Sequence, residues 1–310
     1  MIKEAILYDK LGNKLVQCKT CPRYCKISPN KTGFCKTHVN KNGTLYTVIY
    51  GIISKISVDL IEDKPFYFFK HGTKCLSIGT YGCNFRCKGC QNAELSWGTS
   101  VLDKLLNENN AVQYMYPEKI VEIAIENSCS GIAFTFNEPA IWLEYVVDVA
   151  KLAKSKGLYT VYVTNSFISQ ESLNVLGPYI DALATDIKST KNEFYQDVCS
   201  IKIQTVKNVL NSISYAYKKW NIHIETRTNV IPGYNDDSQT LKEIALWIKE
   251  NLGFESPWHI TKFFPAHKFS HIKETSMKTL KKAQKIGLEA GLKNVSIIAK
   301  KGCDCAKKGV

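Results

Sequence analysis

The stretch "CLSIGTYGCNFRCKGCQN" (residues 75–92) joins an apolar, β-rich run to a loop bearing Cys83, Cys87 and Cys90 at the spacing C-x-x-x-C-x-x-C. A structural zinc site closes its shell with four protein ligands. Three thiolates on one short loop instead describe a metal centre left open on one side. The run before the loop has counterparts along the chain: "GIAFTF" (131–136), "YTVYVTN" (159–165), "ALATDI" (182–187), "IHIETRTNVI" (222–231), "WHITKFF" (258–264) and "NVSIIA" (294–299). Helical patterns such as "PEKIVEIAIENS", "IWLEYVVDVAKLAKSKG" and "DSQTLKEIALWIKENLG" lie between them. Near-continuous apolar strands with helical crossovers predict parallel βαβ units. Six or seven such units favour an α/β fold built as a partial or full parallel (β/α) barrel over a doubly wound sheet. The cysteine loop then falls at the C-terminal end of the first strand, where barrel active sites form.

The chain has 310 residues, enough for one large domain or a main domain with an appendage. We divide it into a cysteine-rich metal-binding lobe (1–45), a connector (46–73) and the barrel domain (74–310). With 45% hydrophobic and 22% charged residues, the composition is that of an ordinary globular protein. No apolar run has the length of a bilayer span, and "MIKEAILYDK" does not read as a signal peptide, so a cytoplasmic protein is expected. Twelve cysteines in such a compartment point to metal or redox chemistry before disulfides. The net charge of +13 admits an anionic partner such as RNA. The lysines are scattered, however (Lys151, Lys154, Lys156, Lys218, Lys219, Lys281, Lys282), and a solvated basic surface is the favoured reading.

Close C-x-x-C spacings are typical of iron–sulfur ligation. A 4Fe–4S cube on Cys83, Cys87 and Cys90 would keep one iron free of protein, able to take a small molecule. A zinc site borrowing Cys75 is disfavoured, because Cys75 stands a strand length away. In the lobe, "CKTCPRYCKISPNKTGFC" carries Cys18, Cys21, Cys25 and Cys35, a set that closes a tetrahedral shell. Zinc and a second cluster both remain open for it. Cys303 and Cys305 either complete that site or stand exposed, and Cys129 and Cys199 read as buried thiols.

The Cys83, Cys87, Cys90 loop resembles the signature of the radical S-adenosylmethionine (radical SAM) superfamily. The resemblance implies a 4Fe–4S cluster whose free iron holds the methionine part of SAM, and reductive cleavage of SAM to a 5′-deoxyadenosyl radical that abstracts hydrogen. In that pattern the residue before the last cysteine is often aromatic and sits near the adenine. Here it is Gly89, so adenine packing is expected from elsewhere, such as Phe85. "FNEP" resembles the superfamily's "GGEP" and implies that Glu138 faces the SAM amine, with Asn137 in place of a glycine; the alternative is a helix-capping acid. Thr164 and Asn165, and the "TDIK" pair Asp186 and Lys188, resemble positions that meet the ribose and carboxylate in glycyl-radical-enzyme activases. A buried Asp–Lys structural pair is the alternative there. On "HIETRTNVIPGYND", Glu225, Arg227 and Asn229 share one face by strand parity, and Arg227 is the expected member of the site. His259 and His267 read as structural.

The order "CxxCPRYCKI…GFC", "YGIISKISVDLIEDKPFYFF", "GTYGCNFRCKGCQN" is similar to the radical SAM member of the AmmeMemoRadiSam system, itself similar to pyruvate formate-lyase activating enzyme. That likeness implies an electron donor and partner proteins of the Memo and AMMECR types. The leading expectation is a radical SAM enzyme acting on an unidentified substrate. A glycyl-radical-enzyme activase is the second, and an iron–sulfur electron carrier or RNA-binding protein comes from another class. An electron carrier has no use for SAM contacts at successive strand ends, and an RNA binder lacks its basic stripe here.

Overall fold

The structure is a computed structural model that describes residues 2–97 and 114–300. Cys303 and Cys305 lie outside the described residues. The N-terminal part forms two small antiparallel sheets. One has the order β1–β6–β5, from Lys3–Glu4, Thr44–Thr47 and His38–Lys41. The other has the order β2–β3–β4, from Tyr8–Lys10, Val16–Cys18 and Lys26–Ile27. Their shared interior holds Ala5, Val16, Cys18, Ile27 and Leu45, a thin core for so much chain.

The main sheet has eight strands in chain order: β7 (Lys55–Leu60), β8 (Lys74–Gly79), β9 (Gly131–Phe134), β10 (Tyr159–Thr164), β11 (Ala182–Asp186), β12 (His223–Val230), β13 (Trp258–Lys262) and β14 (Val295–Ile298). From β8 onward neighbours are parallel; β7 runs antiparallel along β8. Every apolar run picked out in the sequence became one of these strands. Sequential parallel order with helical crossovers is the barrel topology, and among the described residues β7 and β14 do not pair with each other. The barrel is therefore partial. The strands are apolar almost throughout because both faces are covered: β9 and β11 have no exposed residue. β7 lies within the stretch expected as a connector, where its mostly partly buried or exposed residues suit an edge strand.

The helices are α1 (Ala93–Ser96), α2 (Pro117–Glu126), α3 (Leu143–Ser155), α4 (Gln170–Leu176), α5 (Asn192–Cys199), α6 (Thr205–Trp220), α7 (Ser238–Leu252) and α8 (Met277–Glu289). Their starts are set locally. Ser169, Asp237 and Ser276 each accept a backbone N–H in the first turn of α4, α7 and α8. Among the described residues no helix is long and apolar enough to cross a membrane.

At the far end of the barrel from the cysteine loop, the segment after β7 folds back beneath the strands. Glu225, fully buried near the start of β12, accepts the backbone N–H groups of Tyr67 and Phe68, both at 2.9 Å. It also meets His259 Nε2 at 2.7 Å and His223 Nε2 at 3.1 Å. Strand parity had grouped Glu225 with Arg227 as a lining of the site. The two share a face but not a height, and Glu225 is a seal for the opposite end. Burial alone would raise its carboxyl; the hydrogen bonds from His223 and His259 outweigh this and hold it at about 2, against an ordinary 4.5. A depressed carboxyl contributes stability above its unfolded value and loses it as pH falls through the folded one. Glu225→Gln is therefore expected to lower the unfolding free energy by about 2 kcal/mol at pH 7. That deficit should shrink as pH falls from 4.5 towards 2. Urea titrations across that range read it, and a deficit independent of pH would contradict the assignment.

A candidate active site at the mouth of the barrel

The loop after β8 is pinned from several sides. Gly82 has φ +90°, and a Cβ there would sit 2.6 Å from Thr37 Cγ2 and 2.9 Å from the Cys35 carbonyl oxygen, so the turn and the lobe behind it both require glycine. Arg86 donates to the carbonyls of Cys83 (2.8 Å), Phe85 (3.0 Å) and Ser96 (3.0 Å), winding the loop around its guanidinium. Arg23, from the lobe, donates to Asn84 O at 2.7 Å and lies 3.4 Å over the Phe34 ring, which Arg86 also approaches. The three thiols are free: Cys83 is buried, Cys87 and Cys90 half-buried. Among the described residues no three His, Cys, Asp or Glu side chains are already closed up as a metal cage. What the loop offers is three soft donors on one short turn at the strand ends, the kind of set that iron–sulfur ligation uses.

Two polar networks face this loop. In the first, Asn165 Nδ2 donates to Asn84 Oδ1 at 2.8 Å and reaches Cys83 Sγ at 3.8 Å. Its backbone N–H donates to Glu138 Oε2 at 2.8 Å, while Thr164 Oγ1 donates to Glu138 Oε1, also at 2.8 Å. Glu138 in addition caps the turn Pro139–Trp142 by accepting from Ala140 N at 3.0 Å, so the capping alternative is realised alongside the bracing. Burial dominates its titration: desolvation lifts the carboxyl to about 7 despite these donors. Asn137 is fixed against the cysteine loop. Its side chain accepts from Thr80 N at 3.1 Å and donates to Gly82 O at 2.9 Å, bridging the two ends of the turn before Cys83.

In the second network, β11 and β12 place Asp186 directly opposite Arg227. Asp186 accepts from Arg227 Nε at 2.5 Å and from Lys188 Nζ at 2.6 Å, all three largely buried. Burial would raise the Asp186 carboxyl, but the two cations outweigh it and hold it at about 2. Lys188 is held firmly protonated by Asp186 against its own desolvation. The Asp–Lys pair foreseen as an alternative is thus present, enlarged by Arg227 to a set with one net positive charge beside the Cys87 thiol. Asn229 Oδ1, further along the same face of β12, is buried and has no hydrogen-bond partner among the described residues.

Cys199 was read as an ordinary buried thiol. It is fully buried, as expected, and also stands close enough to Cys87 to lower that thiol, while its own is raised by burial. No spacing in the sequence signals this, since α5 brings it in from far along the chain. Phe85, suggested for the adenine, is closed into the core against Phe167 and Tyr195 and is 1% exposed. Cys75, on β8, is fully buried and bonds Ser77, well away from the loop. His259 belongs to the Glu225 seal, and exposed His267 packs against Trp97.

The family described as the Radical SAM superfamily matches residues 77–245, more than half of the chain. The chain belongs to the radical SAM superfamily. An uncharacterized protein of Methanocaldococcus jannaschii is 36% identical over 96% of this chain and 85% of its own length. A second protein of that organism, provisionally named a glycyl-radical enzyme activating enzyme, is 28% identical over 80% and 86%. In fold, the chain resembles a radical SAM methyltransferase from Sphaerobacter thermophilus with a TM-score of 0.58 at 12% identity, covering 76% of this chain and 68% of that one. Superfamily membership makes this chain an enzyme and implies a 4Fe–4S cluster and SAM.

Within that superfamily, Gly89 departs from the aromatic often found before the last cysteine, and the structure gives a reason. A Cβ at Gly89 would lie 3.0 Å from Phe263 and 3.2 Å from Phe269. The aromatic bulk on this side of the loop comes from beyond β13. Gly89→Phe is expected to cost about 1–3 kcal/mol through overpacking. Phe269→Ala in the same chain should return part of that loss, although alone it also destabilises. Urea unfolding of the double-mutant cycle measures this coupling, and strictly additive costs would refute it.

Proposed function

We propose that Cys83, Cys87 and Cys90 hold the 4Fe–4S cluster and that the two polar networks hold SAM against its free iron. The observation that carries this is their convergence: the ends of β8, β9, β10, β11 and β12 bring three free thiols, a buried carboxylate and a cationic set to one mouth. The cluster, when reduced, supplies the electron that cleaves SAM to methionine and a 5′-deoxyadenosyl radical able to abstract hydrogen. The rest falls to the chain. Glu138, already held by Thr164 and Asn165, is the acceptor for the SAM ammonium, and a cation beside it would offset the desolvation that lifts its carboxyl. Lys188 serves the methionine carboxylate as a point charge, and Asp186 the ribose hydroxyls. Arg227 keeps Asp186 ionised and oriented. Thr164 and Asn165 fix the wall between Glu138 and the loop.

A glycyl-radical-enzyme activase is the second reading, favoured by the name of the 28%-identical relative, which matches over most of both chains. Either reading calls for a low-potential electron donor. Memo- and AMMECR-type proteins are the partners that the order of motifs suggests. The four lobe thiols form a second centre separate from this one.

Anaerobic reconstitution with iron and sulfide, followed by dithionite and SAM, should yield 5′-deoxyadenosine by mass spectrometry. A fully loaded protein that leaves SAM intact would refute the enzymatic reading. Cys87→Ala should lose the 4Fe–4S absorption and paramagnetic signal, and retention of both would point to other ligands. Lys188→Ala should keep the cluster but weaken SAM binding on the order of tenfold to a hundredfold, the loss expected for a charged hydrogen bond. Equilibrium binding checks this. Deuterium transfer from substrate to 5′-deoxyadenosine, or a glycyl-radical signal on a partner protein, separates the two enzymatic readings.

A further inference from the structure

In the lobe, Cys18, Cys21, Cys25 and Cys35 line a single cavity together with His38 and Arg23. The chain folds locally to bring them there. Cys18 N donates to Cys25 O at 3.0 Å, and the Cys21–Tyr24 turn is closed by Tyr24 N to Cys21 O at 3.1 Å. A second turn, Lys36 N to Gly33 O at 3.0 Å, delivers Cys35 and then His38. Gly33 is itself part of the wall, since a Cβ there would lie 3.3 Å from Ile27 Cδ1 and 3.8 Å from Cys25 Sγ. The cavity between the four thiols measures about 10 Å³, room for roughly one water-sized sphere.

The surroundings suit a small anionic complex. Four thiolates around a divalent cation leave two net negative charges, which need nearby positive groups or N–H donors when buried. Arg23 lines the same cavity, with its guanidinium 3.4 Å over the Phe34 ring and its Nε donating to Asn84 O at 2.7 Å. His38, 1% exposed, has Nδ1 at 3.7 Å from Cys35 Sγ and 3.2 Å from Thr37 Oγ1, while its Nε2 has no partner among the described residues.

We propose that the lobe binds one zinc ion through Cys18, Cys21, Cys25 and Cys35, with His38 donating to the Cys35 sulfur, and that this ion fixes the wall against which the Cys83 loop rests. This builds on the reading of the lobe thiols as a centre of their own. The wall is direct: Cys35 O and Thr37 leave no room for a Cβ at Gly82, and Arg23 holds Asn84 O. The lobe's own apolar cluster is thin, so such a staple would add to its stability.

The test uses full-length protein purified anaerobically from medium supplied with both iron and zinc. Zinc should copurify at about one per chain, and zinc-edge X-ray absorption should show a shell of four sulfurs near about 2.3 Å. Cys83→Ala/Cys87→Ala/Cys90→Ala should lose its iron and keep the zinc, whereas Cys21→Ser should lose the zinc. Iron with sulfide in the triple variant would overturn the mononuclear assignment in favour of a second cluster. A triple variant free of all metal would overturn the second centre itself. Absence of a cluster from wild type with zinc retained would instead strike the radical SAM site alone. Because the absorption measurement is made on wild type, a variant that fails to fold does not decide the matter.

Discussion

The bond from Asn165 Nδ2 to Asn84 Oδ1, 2.8 Å long and wholly buried, ties the end of β10 to the loop that carries the thiols. Its importance lies in what each partner does besides. Asn84 Nδ2 donates to Phe167 O, and its own carbonyl takes Arg23 from the lobe. Asn165 donates from its backbone to Glu138 and accepts from Phe167 N at its side-chain oxygen. Lobe, cysteine loop, the turn after β9 and the end of β10 are thus one connected polar structure inside an apolar shell. Such networks are costly when incomplete and rigid when satisfied. If the loop holds a cluster by three thiols, as proposed, it needs that rigidity, because the open side would not supply it.

Two carboxylates at this mouth show how environment, not residue type, sets charge. Glu138 is surrounded by uncharged donors, so desolvation prevails and its carboxyl rises to about 7. Asp186 is equally enclosed but stands between two cations, and its carboxyl falls to about 2. The first position is therefore short of a cation and the second is already supplied with two. A zwitterionic ligand with an ammonium at one end and a carboxylate at the other matches that asymmetry in one orientation, ammonium towards Glu138 and carboxylate towards Lys188. The charges proposed to bind such a ligand would reject its reversal.

Much of this could be read along the chain. Parallel strands covered on both faces leave long apolar runs, and the turn chemistry between them leaves polar strand ends, so the barrel and the positions of Glu138, Thr164, Asn165, Asp186 and Lys188 were legible. Three features were not, for distinct reasons. Parity along β12 gives the face of Glu225 but no height, and the segment that buries it comes from before β8. The nearness of Cys199 to Cys87, and the grip of Arg23 on Asn84, arise between elements remote in sequence. β7 was hidden because an edge strand carries less apolar residue than a central one, so its pattern fades into that of a connector.

Gly89 shows most clearly what a short signature does and does not specify. The space beside the last cysteine of the loop is filled with apolar volume. That volume can be attached to the loop itself or be brought by a neighbour. Here Phe263 and Phe269 occupy the space, with Phe269 further packed on Tyr234, so the loop has to present a hydrogen where an aromatic would otherwise stand. The substitution at residue 89 is then the complement of two phenylalanines far along the chain. It moves the aromatic wall from the cysteine loop to the segment after β13, while the thiol spacing of the loop stays the same.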